Sequence, residues 1–154
     1  MILTREQNKT EHEYQVLERF LDGSGIPINR ASIMKGDPGK KEPDFICCYD
    51  DGENVGIELG RITDPNIAKT INRWKPINGE YVRTSDPSRE LAKRKLRKQY
   101  NVPFSVELLF YKEYPIITPD NIILPALKSV CRIKHCFARV WFMGGTIEIL
   151  YECS

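Results

Sequence analysis

The stretch Glu42–Thr63, EPDFICCYDDGENVGIELGRIT, holds two short apolar runs around the turn residues DDGEN, with Asp44 at the mouth of the first run and Glu58 inside the second. Two such runs, rich in Ile, Val, Phe and Tyr and divided by an Asp-Gly turn, read as a β-hairpin. Strand alternation puts Ile57, Leu59 and Arg61 on one face and Gly56, Glu58 and Gly60 on the other. The glycines leave room beside the Glu58 carboxylate, as a bound ion or a close backbone approach requires. Counted from the turn, Asp44 comes near Glu58 across the pair. Two like charges at that separation repel unless a cation or a proton relieves them.

Working upstream, Tyr14, Val16, Leu17, Phe20 and Leu21 recur at helical spacing between Arg5 and Leu21, and DGSG ends the run. At about 100° per residue, Glu13 lies near the centre of that apolar stripe, with Glu11 and Glu18 on the opposite side. A glutamate on an apolar stripe is costly unless it is paired or holds a metal. Between this helix and the hairpin, INRASIM (Ile28–Met34) reads as a further strand.

Downstream, residues 63–85 show no clear period, though IAKTINRW (67–74) suits a short helix. Trp74, Tyr81 and Arg83 in this segment have the chemistry to stack on bases, with packing over the sheet as the plainer assignment. Asp86 and Pro87 start a helix over SRELAKRKLRKQY, the most basic segment of the chain, and Pro103 follows its end. With Leu91, Ala92, Leu96 and Tyr100 as its buried stripe, Lys95 and Gln99 fall on or beside the stripe. Lys93, Arg94, Arg97 and Lys98 then face outward, where they would either be solvated or follow a phosphate backbone. FSVELLFY is a fourth strand, PDNIILPALKSVC a third helix, and ARVWFMGG with TIEILYE a closing hairpin. This order predicts an α/β sandwich around a mixed sheet, with the basic helix as the crossover between parallel strands.

The chain has 154 residues and 41% hydrophobic content, which suits one domain spanning 1–154. Its 23 basic and 21 acidic residues leave a net charge of +2, so charge balance alone does not announce nucleic acid. Five cysteines without regular spacing argue against a disulfide framework and for a reduced, cytoplasmic setting. Cys131, His135 and Cys136 lack a second ligand pair at zinc-finger spacing. No run approaches the roughly 20 apolar residues that cross a bilayer, and the polar N-terminus does not read as a signal peptide.

An inward helical glutamate, then PD at a strand start, then IEL in the next strand: this arrangement resembles the PD-(D/E)XK nuclease superfamily over roughly Glu6–Tyr111. The resemblance implies an αβββαβ restriction-endonuclease-like core, here with an extra C-terminal helix and β-hairpin. It also implies Asp44 and Glu58 as the acidic ligands of Mg²⁺ or Mn²⁺, Glu13 as the accessory glutamate, and hydrolysis of DNA phosphodiesters. The family lysine is absent, since Gly60 stands two residues after Glu58 and Arg61 follows it. Members lacking that lysine can borrow a basic side chain from the next helix, which makes Lys95 the expected replacement. Gly60 also favours a second reading, the same fold without activity, serving as a nucleic-acid-binding or protein-binding module. A third is a small interaction protein of the toxin-neutralising type; a protein partner or a homodimer is compatible with either.

Overall fold

Helix α1 (Arg5–Ser24) begins where Thr4 and Gln7 form a reciprocal capping box, and it ends where Gly25 takes a left-handed conformation and donates its N–H to the Leu21 carbonyl. Its buried stripe is Glu13, Val16, Leu17, Phe20 and Leu21, so the inward phase read for Glu13 is its actual one. The computed structural model describes residues 4–62, 75–77, 80–82, 87–113 and 119–153.

After α1 the chain forms β1 (Ile28–Lys35), a short 3-10 turn (Pro38–Lys40), β2 (Phe45–Tyr49) and β3 (Asn54–Ile62). A small hairpin of β4 (Lys75–Ile77) and β5 (Glu80–Val82), not anticipated from the sequence, precedes α2 (Pro87–Leu96). Then come β6 (Val106–Lys112), α3 (Asp120–Val130), β7 (Arg139–Met143) and β8 (Ile147–Glu152). The short helix expected over 67–74 lies outside the described residues, as do Trp74 and Arg83.

Six strands make one mixed sheet in the order β1-β2-β3-β6-β7-β8. The β1-β2-β3 meander is antiparallel, β3, β6 and β7 run parallel, and β8 returns antiparallel. Helix α2 lies in the connection from β3 to its parallel neighbour β6, as the crossover rule requires. Each face of the sheet carries its own core. Val16, Leu17 and Phe20 of α1 pack on Phe45, Ile57, Leu59 and Leu109, whereas Ala92 and Leu96 of α2 join Ile123 and Leu127 of α3 on Ile62, Leu108 and Phe110. Strand alternation is therefore what sends Glu58 to the two-helix face and Leu59 to the face covered by α1.

Where β1 ends, the chain must return close beneath itself to start β2. Gly36 makes this fit: its N–H donates to the Asp44 carbonyl at 2.9 Å, and a Cβ on Gly36 would stand 1.8 Å from the Pro43 carbonyl oxygen. No side chain can be accommodated there without moving backbone. Gly36→Ala is expected to destabilise the protein by about 2–3 kcal/mol, in the range for overpacking a close contact. Urea unfolding monitored by circular dichroism checks this, and a cost below about 0.5 kcal/mol, the range of an ordinary surface change, would refute the close approach.

Candidate active site

Strand β2 begins one residue after Asp44, and its last pair with β3 is Phe45 with Ile57. Residues 58–62 of β3 thus run on past the end of β2. Side chains take over where strand pairing stops. The Leu59 N–H donates to Asp44 Oδ2 at 2.9 Å, and the Asp44 N–H donates to Glu58 Oε1 at 3.0 Å. Each carboxylate caps a backbone donor beside the other, which fixes the two acids against one another.

Glu58 is 1% exposed. Its second oxygen, Oε2, accepts from Lys95 Nζ at 3.1 Å and from Lys98 Nζ at 3.0 Å. The glycines at its sides do not hold open space. A Cβ on Gly56 would lie 2.5 Å from the Pro43 ring, and one on Gly60 would lie 2.6 Å from the Phe110 ring and 3.7 Å from Lys95 Cγ. Pro43, Phe110 and the Lys95 stem thus close around the carboxylate, filling the room that the sequence reading left for an ion or backbone.

Helix α2 stops at Leu96, four residues earlier than the sequence pattern suggests, and this alters the sorting of its basic residues. Arg94 and Arg97 are exposed, and Lys93 lies 3.7 Å from Glu90 on its own helix. Lys98, expected on the same outward face, instead turns back to Glu58 because helical phase no longer governs a residue beyond the helix end. Gln99 is exposed rather than beside the buried stripe for the same reason.

The environments push the two acids in opposite directions. Burial raises the Asp44 carboxyl and the neighbouring Glu58 charge raises it further; the Leu59 N–H and Lys95 offset part of this, leaving it at about 6. Burial also acts upward on Glu58, but Lys95 and then Lys98 outweigh it and hold that carboxyl below its ordinary range. The Tyr100 hydroxyl is buried toward the same carboxylate, and burial followed by the Glu58 charge raises its pKa.

Asp44 and Lys95 open onto a cleft of about 510 Å³, shared with Glu13, His12, Arg61 and Tyr111. Glu13 reaches it from α1, its Oε2 bonded to Lys35 Nζ at 2.7 Å and its Oε1 4.0 Å from Lys9 Nζ. Arg61 stands on the α1 side, where Glu113 Oε2 accepts from its Nη1 at 3.2 Å; the other Glu113 oxygen meets His12. The sequence does not announce the pairing of Lys35 with Glu13, the turn of Lys98 and Tyr100 toward Glu58, or the His12–Glu113–Arg61 chain. All are contacts between elements far apart in the chain, for which a local period carries no signal.

A third buried acid, Glu107, serves as a contrast. It accepts from Tyr49 Oη at 2.5 Å, Trp141 Nε1 at 2.8 Å and Arg139 Nε at 3.1 Å, so its oxygens are consumed by internal donors. Among the described residues no hydrogen bond reaches Asp44 Oδ1. No three His, Cys, Asp or Glu side chains converge as a ready metal cage among those residues. Two carboxylates, one with a free oxygen beside a cleft, nonetheless fit Mg²⁺, a hard ion held by one or two carboxylates with water or phosphate completing its shell. Comparison of the chain with family models, with curated proteins and with solved structures gave no match.

The raised Asp44 pKa links folding to pH. The folded state holds the Asp44 proton more tightly than the unfolded chain, whose value is 3.8. The contribution of Asp44 is therefore most favourable below about pH 4 and is lost as pH rises toward 6. Asp44→Asn keeps an acceptor for the Leu59 N–H and removes the charge. At pH 7.5 it is expected to stabilise the protein by on the order of 1–2 kcal/mol, a gain that vanishes near pH 4. Thermal melts across this range decide it; a variant less stable than wild type at pH 7.5 would show that Asp44 is not under electrostatic pressure.

Proposed function

We propose that this protein is a metal-dependent nuclease of the restriction-endonuclease-like kind that hydrolyses DNA phosphodiester bonds, with Asp44, Glu58 and Lys95 as its working residues. The observation that carries this reading is the interlocked Asp44–Glu58 pair at the end of β2, with the Lys95 ammonium 3.1 Å from Glu58 Oε2. The chain order supports it: a helix, a three-strand meander, a crossover helix and a strand parallel to the third match the αβββαβ arrangement that the sequence resemblance implies.

In this reading Asp44 and Glu58 would hold Mg²⁺ or Mn²⁺. When bound, such an ion polarises the phosphate and lowers the pKa of a water molecule. Lys98 is half-exposed, so it can leave Glu58 for solvent or phosphate, and Oε2 then keeps Lys95 as its single ammonium partner. Lys95 is more enclosed, with its stem beside Gly60, and its ammonium steadies charge that develops on the phosphate. Arg61 is tied to Glu113 and stands away from Glu58 across the sheet, which makes it the weaker substitute. Glu13 sets the charge of the cleft wall, balanced by Lys35.

One feature favours a second reading, an inactive module of the same fold that binds nucleic acid or protein: Glu58 Oε2 is already shared by two ammonium groups, which supply the positive charge that a metal would. Calorimetric titration with Mn²⁺ separates the two. Nuclease function predicts binding to wild type and its loss in Asp44→Ala; no binding to either protein would favour the inactive module.

If the protein cleaves DNA, Lys95→Ala is expected to lower the single-turnover rate at saturating Mg²⁺ by about two orders of magnitude, the loss typical of one transition-state donor, with little change in substrate affinity. Arg61→Ala should reduce it less. Wild-type rates in Lys95→Ala would remove Lys95 from the catalytic role.

A further inference from the structure

Beside the Asp44–Glu58 pair, and separate from its cleft, lies a second groove of about 510 Å³ lined by Gly39, Lys40, Lys41, Gln99, Tyr100 and Asn101. Its lining holds two lysines, two amides and no acid. We propose that this groove binds the phosphate backbone of a nucleic-acid strand whose neighbouring phosphate lies in the Asp44–Lys95 cleft. This inference rests on the nuclease reading and names the path of its substrate.

The local geometry prepares the groove for an anion. Asp37 and Glu42, the two acids flanking the 3-10 turn, are engaged by backbone donors: Asp37 Oδ1 accepts from the Gly39 N–H, and Glu42 Oε1 from the Asp37 N–H, each at 2.9 Å. Neither neutralises a lysine of the turn. Lys40 and Lys41 are exposed, and no ion pair holds either of them among the described residues. Lys41 adopts a left-handed backbone, φ 57°, that a lysine takes only under constraint. The constraint is visible, since its N–H donates to the Pro38 carbonyl and its carbonyl accepts from the Asn101 N–H at 2.8 Å. That last bond clamps the turn onto the segment following α2, so both walls of the groove are tied together.

The groove and the cleft are continuous in chemistry. The segment that supplies Gln99, Tyr100 and Asn101 to the groove also supplies Lys98 to Glu58, and the Tyr100 hydroxyl is buried toward that carboxylate. A strand entering over Lys40 and Lys41 therefore meets Lys98 next and Lys95 beyond it. By contrast, Arg94 on α2 and Arg97 just past its end are exposed and line neither hollow. The electrostatic footprint thus shifts from the helix face to the turn.

Counterion release makes the footprint measurable. The test is the salt dependence of binding to a fluorescent 20-base-pair DNA duplex in the presence of chelator, followed by anisotropy. Lys40→Gln combined with Lys41→Asn, the latter chosen because asparagine tolerates the left-handed backbone, should lower the slope of log Kd against log salt by about 1.8, or about 0.9 per lost contact. Arg94→Gln with Arg97→Gln should leave it where it was. Should the double lysine variant melt early, Lys40→Gln alone carries the test with a change of about 0.9. Wild-type binding with an unchanged slope in the lysine variants would overturn the groove while leaving the nuclease reading intact. Failure of the wild type to bind DNA even at low salt would overturn both and point to a protein partner.

Discussion

The early end of β2 is the constraint on which the site depends. Because pairing stops at Phe45 and Ile57, the last residues of β3 continue without β2, and the Asp44 carboxylate takes the Leu59 N–H. An edge donor is satisfied, but a negative charge is brought beside Glu58. Any two unit charges about 4 Å apart repel by roughly 4 kcal/mol at an effective dielectric of about 20, so close carboxylates cost energy on the scale of a domain's whole stability. The fold tolerates this only because α2 and the segment after it deliver two ammonium groups to Glu58. The packing of Ala92 and Leu96 on the sheet, which fixes α2, is therefore also what neutralises the carboxylate pair.

That neutralisation is unequal. Both ammonium groups lie on Glu58 and hold its carboxyl below the ordinary range, whereas Asp44 has, among the described residues, one backbone donor, one oxygen without a hydrogen bond and a cleft in front of it. Adjacent acids whose environments drive their pKa values apart are a recurring property of reacting sites. Glu107 shows that burial alone does not produce this state: three internal donors satisfy it, and it faces no comparable neighbour. The Asp44–Glu58 pair instead combines a carboxylate fully engaged by internal donors with one that faces a cleft.

Much of this was legible in the sequence because it follows from local periods. Alternation along NVGIELGRI sorts Ile57 and Leu59 from Glu58, and the helical phase of α1 turns Glu13 inward, as the structure has them. The β3–α2–β6 crossover was legible from element order alone. Lys98 was not, because its placement depends on α2 ending at Leu96, and a helix end moves every later side chain off the helical phase. The glycines beside Glu58 stand out in the sequence as unusual for a strand, but the sequence does not show what fills the space at them. Only tertiary packing reveals that Pro43 and Phe110 occupy the space they leave. Asp37 bonding the Gly39 N–H is the local habit of Asp before Pro-Gly, but that Lys40 and Lys41 find no ion-pair partner among the described residues follows only from the assembled fold.

Gly60 and Lys95 are two parts of one steric solution. A side chain at position 60 would enter the Phe110 ring, so this core cannot hold both a strand lysine and Phe110 in its present place. With glycine there, the Phe110 ring fills the two-helix core and the Lys95 stem passes over the strand to bring its ammonium to Glu58 from the helix side. A cation anchored on the strand would keep a fixed register with Glu58, set by two residues of backbone. One anchored on α2 depends on how the helix seats against the sheet, and that seating rests on Ala92, Leu96, Ile123 and Leu127. The charge at the site is consequently coupled to the packing of an entire layer. In this fold the cations that partner Glu58 come from α2 and the segment after it, not from the strand that carries the carboxylate.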